Sequence, residues 1–282
     1  MKKTEIKSFA KINLSLLVTG KLNTKLHKIL SVVSFINVYD KIYIKEQKIK
    51  SHKVVFSGKF SKAIPNINTI TNLLKILDSK KKLNNKKYLI KVIKNTPQQA
   101  GLGGGSMNAS AILSFFLKNK LIKIKKKELE FLAKKIGSDV IIGIKKSPSV
   151  IINTSTIKEL KQKFYFHIVI VKPTFGCSSK EIYKRLKNFS RPNFNPNKIK
   201  KFTNEKILNS FNDLERPAFK KYPKLKKMKL YMSKLDKVIF VRMSGSGSSL
   251  VSYFYSKNAA LKAHKLLKKK YKNYWCILSK TI

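Results

Sequence analysis

The stretch PQQAGLGGGSMN, residues 97–108, governs the reading of this chain. The whole sequence has 11 glycines, and Gly101, Gly103, Gly104 and Gly105 fall inside this one segment. Alternating apolar residues from Tyr88 to Lys94 predict a strand just before it. An apolar helix follows, carrying Ala109, Ile112, Leu113 and Phe116. Glycine weakens regular structure but lets backbone amides come close to an anion. A loop that opens a helix adds the positive end of the helix dipole, which suits phosphate. The plain alternative is a tight turn. The spacing excludes the P-loop pattern G-x-x-x-x-G-K-[ST]. It also excludes G-x-G-x-x-G, because Ser106 stands at the last position. No H-R-D or D-F-G set is present, so the protein-kinase pattern is missing.

Outward from this loop the chain reads as mixed α+β. A second glycine loop, MSGSGSS at 243–249, holds Ser244, Gly245 and Gly247 between predicted strands Val238–Val241 and Leu250–Tyr255. Residues 5–19 alternate as a strand, and 29–45 contain a second and a possible third. Asn66–Lys82 is a predicted helix with Ile70, Leu73, Leu74 and Leu77 on one face. Lys126–Ile136 is another, closed by Gly137. Val150–Asn153 and Phe164–Val171 read as strands, and Ser178–Glu181 as a capping box opening a helix. Pro192 and Pro196 mark a loop, and helical segments fill 203–234. Helix Asn258–Lys269 and strand Tyr274–Leu278 complete the order. The expected division is an N-terminal domain over 1–158 and a C-terminal one over 159–282.

Charge is the most conspicuous compositional feature. The 282 residues carry 63 Lys+Arg against 13 Asp+Glu, a formal net charge of +50. A basic nucleic-acid binder is the first class to test. Only Arg185, Arg191, Arg216 and Arg242 are arginine, and the lysines are spread along the chain. Lysine is a solvated point charge rather than a bidentate reader of bases. Solvated lysine-rich faces and an attraction for small anionic substrates are the expected result, with no specific nucleic acid. No apolar run is long enough for a membrane span. The N-terminus alternates like a strand rather than a signal peptide. Cys177 and Cys276 make neither a disulfide framework nor a zinc site. The expectation is a soluble, cytoplasmic protein, with its oligomeric state left open.

The scarce acids can be read one by one. Asp78 and Asp236 are expected in solvent, Asp40 in a turn, and Asp213 as a helix cap in Asn212-Asp213-Leu214-Glu215. Asp139 follows the helix stop at Gly137 and precedes the apolar Val140-Ile141-Ile142. A carboxylate there is expected to be partly buried and to need a cation. Capping or a structural ion pair is its alternative. Lys11 interrupts the apolar strand between Ala10 and Ile12, and its alternative is an edge position facing solvent.

Taken together, five stretches resemble the GHMP kinase superfamily: Ser8–Leu14, Pro97–Asn108, Ile136–Val140, Asn212–Glu215 and Met243–Gly247. They are most similar to its branch acting on 4-diphosphocytidyl-2-C-methyl-D-erythritol. The resemblance implies an N-terminal domain like domain 2 of ribosomal protein S5 and a ferredoxin-like GHMP C-terminal domain. It implies transfer of phosphate from ATP, with Mg²⁺, to the 2-hydroxyl of that cytidyl diphosphate, in the non-mevalonate route to isoprenoid precursors. By motif, Asp139 is the implied catalytic base and Lys11 its partner, with Asn13 beside the reacting hydroxyl. Pro97, Gln98, Gln99, Ala100, Gly101, Leu102, Gly103, Gly104, Gly105, Ser106 and Met107 are the implied ATP-phosphate loop. His27 and Tyr183 are the implied readers of the cytosine. No protein ligand for the metal is implied. The sequence departs from the pattern at Asn23-Thr24-Lys25-Leu26-His27, where Leu26 replaces the family's stacking tyrosine. Competing readings are a GHMP kinase for mevalonate or homoserine, and a basic RNA-binding protein on an S5-like fold.

Overall fold

The computed structural model describes residues 3–22, 26–153, 156–192 and 202–282. Asn23, Thr24 and Lys25, and the loop position Pro196, lie outside the described residues. The chain forms two compact units that do not follow a single cut in the sequence. The first gathers residues 1–10, 38–98 and 103–146; the second gathers 11–37, 99–102 and 147–282.

Strand β1 spans Thr4–Lys21 and β2 spans His27–Gln47. Thus the segment 29–45 is one long strand, not two. In the first unit, β4 (Lys87–Ile93) pairs antiparallel with the Lys41–Gln47 end of β2 and parallel with β3 (Lys53–Ser57). Helix α1 spans Thr69–Ser79, shorter than its apolar pattern predicted because Asn68 stops it. The Asn68 side chain accepts from the amides of Ile70 and Thr71, while the Thr71 hydroxyl accepts from the Asn68 amide. This reciprocal cap satisfies amides that have no partner inside the helix. The face carrying Ile70, Leu73, Leu74 and Leu77 is buried, as its spacing requires. Helices α2 (Gly104–Lys118), α3 (Lys126–Ile136) and α4 (Val140–Lys145) complete this unit.

Asp40 is not in a turn. It lies within β2 and is 1% exposed, held by Lys94, Thr96 and the Asn95 amide. Its partners sit some fifty residues on, out of reach of any local pattern. Asp78 is not free in solvent either: Lys87 Nζ lies 2.7 Å from its Oδ2.

In the second unit, β5 (Ser149–Ile152) pairs with Leu30–Val33 of β2 and with β6 (Thr156–Glu159). A separate antiparallel sheet has the order β10-β7-β9-β8, from β7 (His167–Lys172), β8 (Phe240–Met243), β9 (Leu250–Phe254) and β10 (Trp275–Lys280). The helical region 203–234 is three helices, α6 (Asn204–Leu208), α7 (Glu215–Lys221) and α8 (Pro223–Met232). Pro223 forces the last break, since it cannot donate to the preceding turn. Helices α5 (Ser179–Lys184) and α9 (Lys257–Lys270) begin at Ser178 and Ser256, whose hydroxyls accept from the amides of Glu181 and Ala259. One core joins Val169, Val171, Leu214, Met228, Phe254 and Leu267 beneath these helices.

Candidate active site

Within the second unit the two glycine loops are one construction. Gly101 has φ +75°, and a Cβ placed on it would lie 1.9 Å from the Ser244 carbonyl oxygen. The Ser244 hydroxyl donates to the Gly101 carbonyl at 2.8 Å and accepts from the Asn13 amide at 3.3 Å. Ser248 and Ser249 donate their amides to the carbonyls of Gln99 and Ala100. The Lys11 amide donates to the Leu102 carbonyl at 3.1 Å. Glycine is required at 101 by both the backbone angle and the space.

Asn212 locks the second loop from behind. Its Nδ2 donates to the carbonyls of Met243 and Gly245, both at 2.8 Å, and its Oδ1 accepts from the Leu214 amide. Asp213 is therefore not the cap of the helix that follows. Its carboxylate accepts from the Val18 amide and the Ser190 hydroxyl. Half-burial pushes its carboxyl above the usual aspartate range, against the pull of those two donors.

Lys11 does not face solvent. It is 5% exposed, and its ammonium donates to Asn13 Oδ1 at 2.8 Å. The two residues share one face of β1, since side chains two apart point the same way. Asn13 Nδ2 then donates to the Ser31 hydroxyl, and Ser31 to the Ser15 carbonyl. A buried ammonium needs such partners. The chain of bonds fixes which oxygen and which nitrogen Asn13 presents.

The first unit holds the remainder of the loop. Gly103 is the N-cap of α2, with φ +68°, and no side chain caps the helix. Its first amides have no acceptor inside the helix and are suited to an anion. The Thr69 hydroxyl donates to the Gly105 carbonyl, and Gln98 Nε2 to the Lys62 carbonyl. Pro97 and Met107 are buried. A Cβ on Gly137 would lie 3.1 Å from Ser106 Oγ, so the segment leading to Asp139 runs against the loop. Asp139 is half-buried at the N-cap position of α4, yet its side chain makes no cap bond. Thus the capping alternative is not realised. Lys11 and Asp139 fall in different units.

His27 and Tyr183 come together. Their ring centroids are 4.9 Å apart with 34° between the planes, and Phe189 lies 6.3 Å from His27. His27 Nε2 is buried and has no hydrogen-bond partner among the described residues. Burial first, then Lys21, holds its pKa below the ordinary histidine value, so the ring is neutral near pH 7. A neutral imidazole offers one donor and one acceptor. Leu26 beside it is exposed.

A groove of about 500 Å³ in the first unit contains none of these residues; His52, Pro65, Asn68, Asp78 and Lys87 help to line it. Among the described residues no group of three or more His, Cys, Asp or Glu is placed to hold a metal ion. No residue of this chain is therefore assigned to Mg²⁺. No described helix is long and apolar enough to cross a membrane.

Comparison with known proteins decides the family. Residues 68–151 match the model of the GHMP kinases' N-terminal domain, and residues 199–273 that of the C-terminal domain. A Pelagibacter ubique protein, 4-diphosphocytidyl-2-C-methyl-D-erythritol kinase, is 55% identical over the whole of both chains. The chain belongs to the GHMP kinase family. It is an ATP-dependent small-molecule kinase. A second protein of the same description, from Petrotoga mobilis, is 35% identical over 89% of this chain and 99% of its own. In fold, the crystal structure described as 4-(cytidine 5'-diphospho)-2C-methyl-D-erythritol kinase superposes with a TM-score of 0.78. It covers 99% of this chain and 100% of its own at 22% identity.

Proposed function

We propose that the protein phosphorylates the 2-hydroxyl of 4-diphosphocytidyl-2-C-methyl-D-erythritol with ATP, supplying a cytoplasmic non-mevalonate isoprenoid pathway. The full-length relative at 55% identity supports the substrate. The observation that carries the reading is His27 Nε2, buried, without a hydrogen-bond partner among the described residues, and beside Tyr183. An unsatisfied buried ring nitrogen is a cost that a ligand removes. Cytosine has a flat face for Tyr183 and a donor–acceptor edge for a neutral histidine.

In this reading residues 1–158 form the ATP-binding domain and 159–282 the C-terminal one. The loop from Pro97 to Met107 takes the phosphates on its amides, with Ser244, Gly245 and Gly247 holding its first half in shape. Mg²⁺ supplies charge neutralisation on the ATP phosphates, without an assigned protein ligand. Asp139 orients the substrate hydroxyl and accepts its proton. The freed oxygen bonds to the γ-phosphorus, the bond to the β-phosphate oxygen breaks, and ADP leaves. Phosphoryl transfer depends on positioning and charge more than on covalent help. Lys11 stabilises the developing alkoxide, and Asn13 fixes where that ammonium points.

The test is ADP release from ATP and Mg²⁺ with three acceptors in parallel: the cytidyl alcohol, mevalonate and homoserine. Turnover confined to the cytidyl alcohol and lost in Asp139→Asn is the expected result. Turnover with either other alcohol alone would discard the substrate, and near-normal turnover in Asp139→Asn would discard the base.

A further inference from the structure

Lys94 is, with Lys11 and Lys172, one of three buried lysines among the described residues. It is 4% exposed, and the carboxylate that meets it, Asp40, is 1% exposed. With only 13 acids against 63 bases, one acid lies buried against this lysine. A buried ion pair is weak evidence for stability, since well-packed apolar residues serve as well. Its position is more informative. Lys94 follows the end of β4 and precedes Pro97, where the phosphate loop begins.

The ammonium contacts Asp40 Oδ2 and lies 3.1 Å from Thr96 Oγ1. It lies 3.3 Å from the point where a Cβ on Gly104 would stand, and Thr96 Oγ1 lies 3.0 Å from that point. Gly104 is the first residue of α2, so the charge sits against the backbone of the opening turn. An ammonium has three donors; two have partners here, and the third has none among the described residues. A helix N-terminus is itself positive, so a cation there is disfavoured until an anion arrives. Asp40 holds it there meanwhile. Its Oδ1 also accepts from the amides of Asn95 and Thr96, at 2.7 and 2.9 Å. The backbone of Lys94 is pinned too. Its amide donates to the Ser57 carbonyl, and Gly58 lets its carbonyl come close.

We infer that Lys94 is a positioning residue for ATP, a buried cation strengthening the anion site from beneath Gly104, with Asp40 and Thr96 fixing its place. This rests on the reading that the 97–107 loop holds the ATP phosphates. The chemistry it recognises is the polyphosphate and not the adenosine.

The test is calorimetric binding of ATP, ADP and adenosine without any acceptor alcohol. A wrong acceptor therefore leaves the result untouched, and ADP release by the wild type reports on the function separately. The double variant Asp40→Asn/Lys94→Met removes both charges and leaves no buried ion unpaired. Expected are a thermal midpoint near that of the wild type, ATP and ADP Kd values raised tenfold or more, and an unchanged adenosine Kd. The kcat at saturating ATP should stay within about threefold, since the loss lies in binding both states alike. Unchanged ATP affinity, or equal weakening of ATP and adenosine, would overturn the proposal. If the double variant fails to fold, ¹⁵N-labelled lysine in the wild type decides. The Lys94 ammonium signal should shift on adding ADP and not on adding adenosine. Equal responses to both, or to neither, would reject it.

Discussion

The Ser244 hydroxyl donates to the Gly101 carbonyl at 2.8 Å, and the Gly101 Cα has no room for a carbon on the Ser244 side. Two segments 143 residues apart are thereby fitted to one another, the Ser244 hydroxyl being the side-chain link.

Gly101→Ala should therefore be severe. It combines a left-handed backbone angle with a Cβ 1.9 Å from a carbonyl oxygen. A loss of roughly 2–4 kcal/mol of stability is expected, from backbone strain and overpacking together. Gly105→Ala meets only the Thr69 side chain, Oγ1 at 3.3 Å and Cγ2 at 3.8 Å, and should fold nearly as the wild type does. Denaturant titrations of the two variants check the contrast. Equal stabilities would show that the contact at Gly101 relaxes.

Asn212→Asp should be worse than its size suggests. The amide nitrogen now donates to two buried carbonyls, and a carboxylate oxygen would face both instead. Leaving two acceptors unpaired costs about 2 kcal/mol or more, before any repulsion. Both the thermal midpoint and the ATP affinity should fall. Wild-type ATP binding in a destabilised variant would separate the second glycine loop from the nucleotide.

The glycine loop was legible in the sequence because its signal is local: four glycines within five positions need no partner to be noticed. The periodic burial of α1 is likewise written in its own residues. Asn13 came only through the resemblance, since its pairing with Lys11 is a matter of which face of β1 each occupies. Asp40 was misread because its meaning lies in Lys94 and Thr96, far along the chain and adjacent only once β2 and β4 pair. Asp213 was misread because Asn212 already takes the neighbouring amide, leaving Asp213 for Val18 and Ser190. Strand β3 gave no warning, since five residues with three apolar ones form too short a pattern.

Tyr183→Ala should raise the KM for the cytidyl substrate about five- to tenfold, the worth of one aromatic contact. The KM for ATP should not move. Paired substrate titrations would reveal it, and equal shifts in both would deny Tyr183 a role in base recognition.

His52 predicts a pH dependence of stability. Its Nδ1 accepts from the Tyr88 amide at 3.0 Å, and burial, outweighing Asp78, lowers its pKa below 6.5. As pH falls below 6.5 the unfolded chain takes up a proton that the folded one refuses. Stability should then drop by at most about 1.4 kcal/mol per pH unit for this group. The loss ends once the pH passes the lowered folded value. His27 acts with the same sign, so His52→Gln should reduce the acid slope without abolishing it. Melting curves from pH 7 to 5 check this, and an unaltered slope would count against it.

The long strand β2 also bears on how the protein is made. Its residues up to Asn37 belong to the second unit and those from Val38 to the first. Within the second unit, the Ile282 amide donates to the Phe35 carbonyl, and Thr281 bridges Ile36. That part of an early-synthesised strand must wait for residues 281–282 before its pairing is complete. The residues of the first unit end at 146. Contacts this distant in sequence close slowly, so during synthesis the first unit can settle while the second still exposes unpaired strand. That interval is when the chain most needs a chaperone.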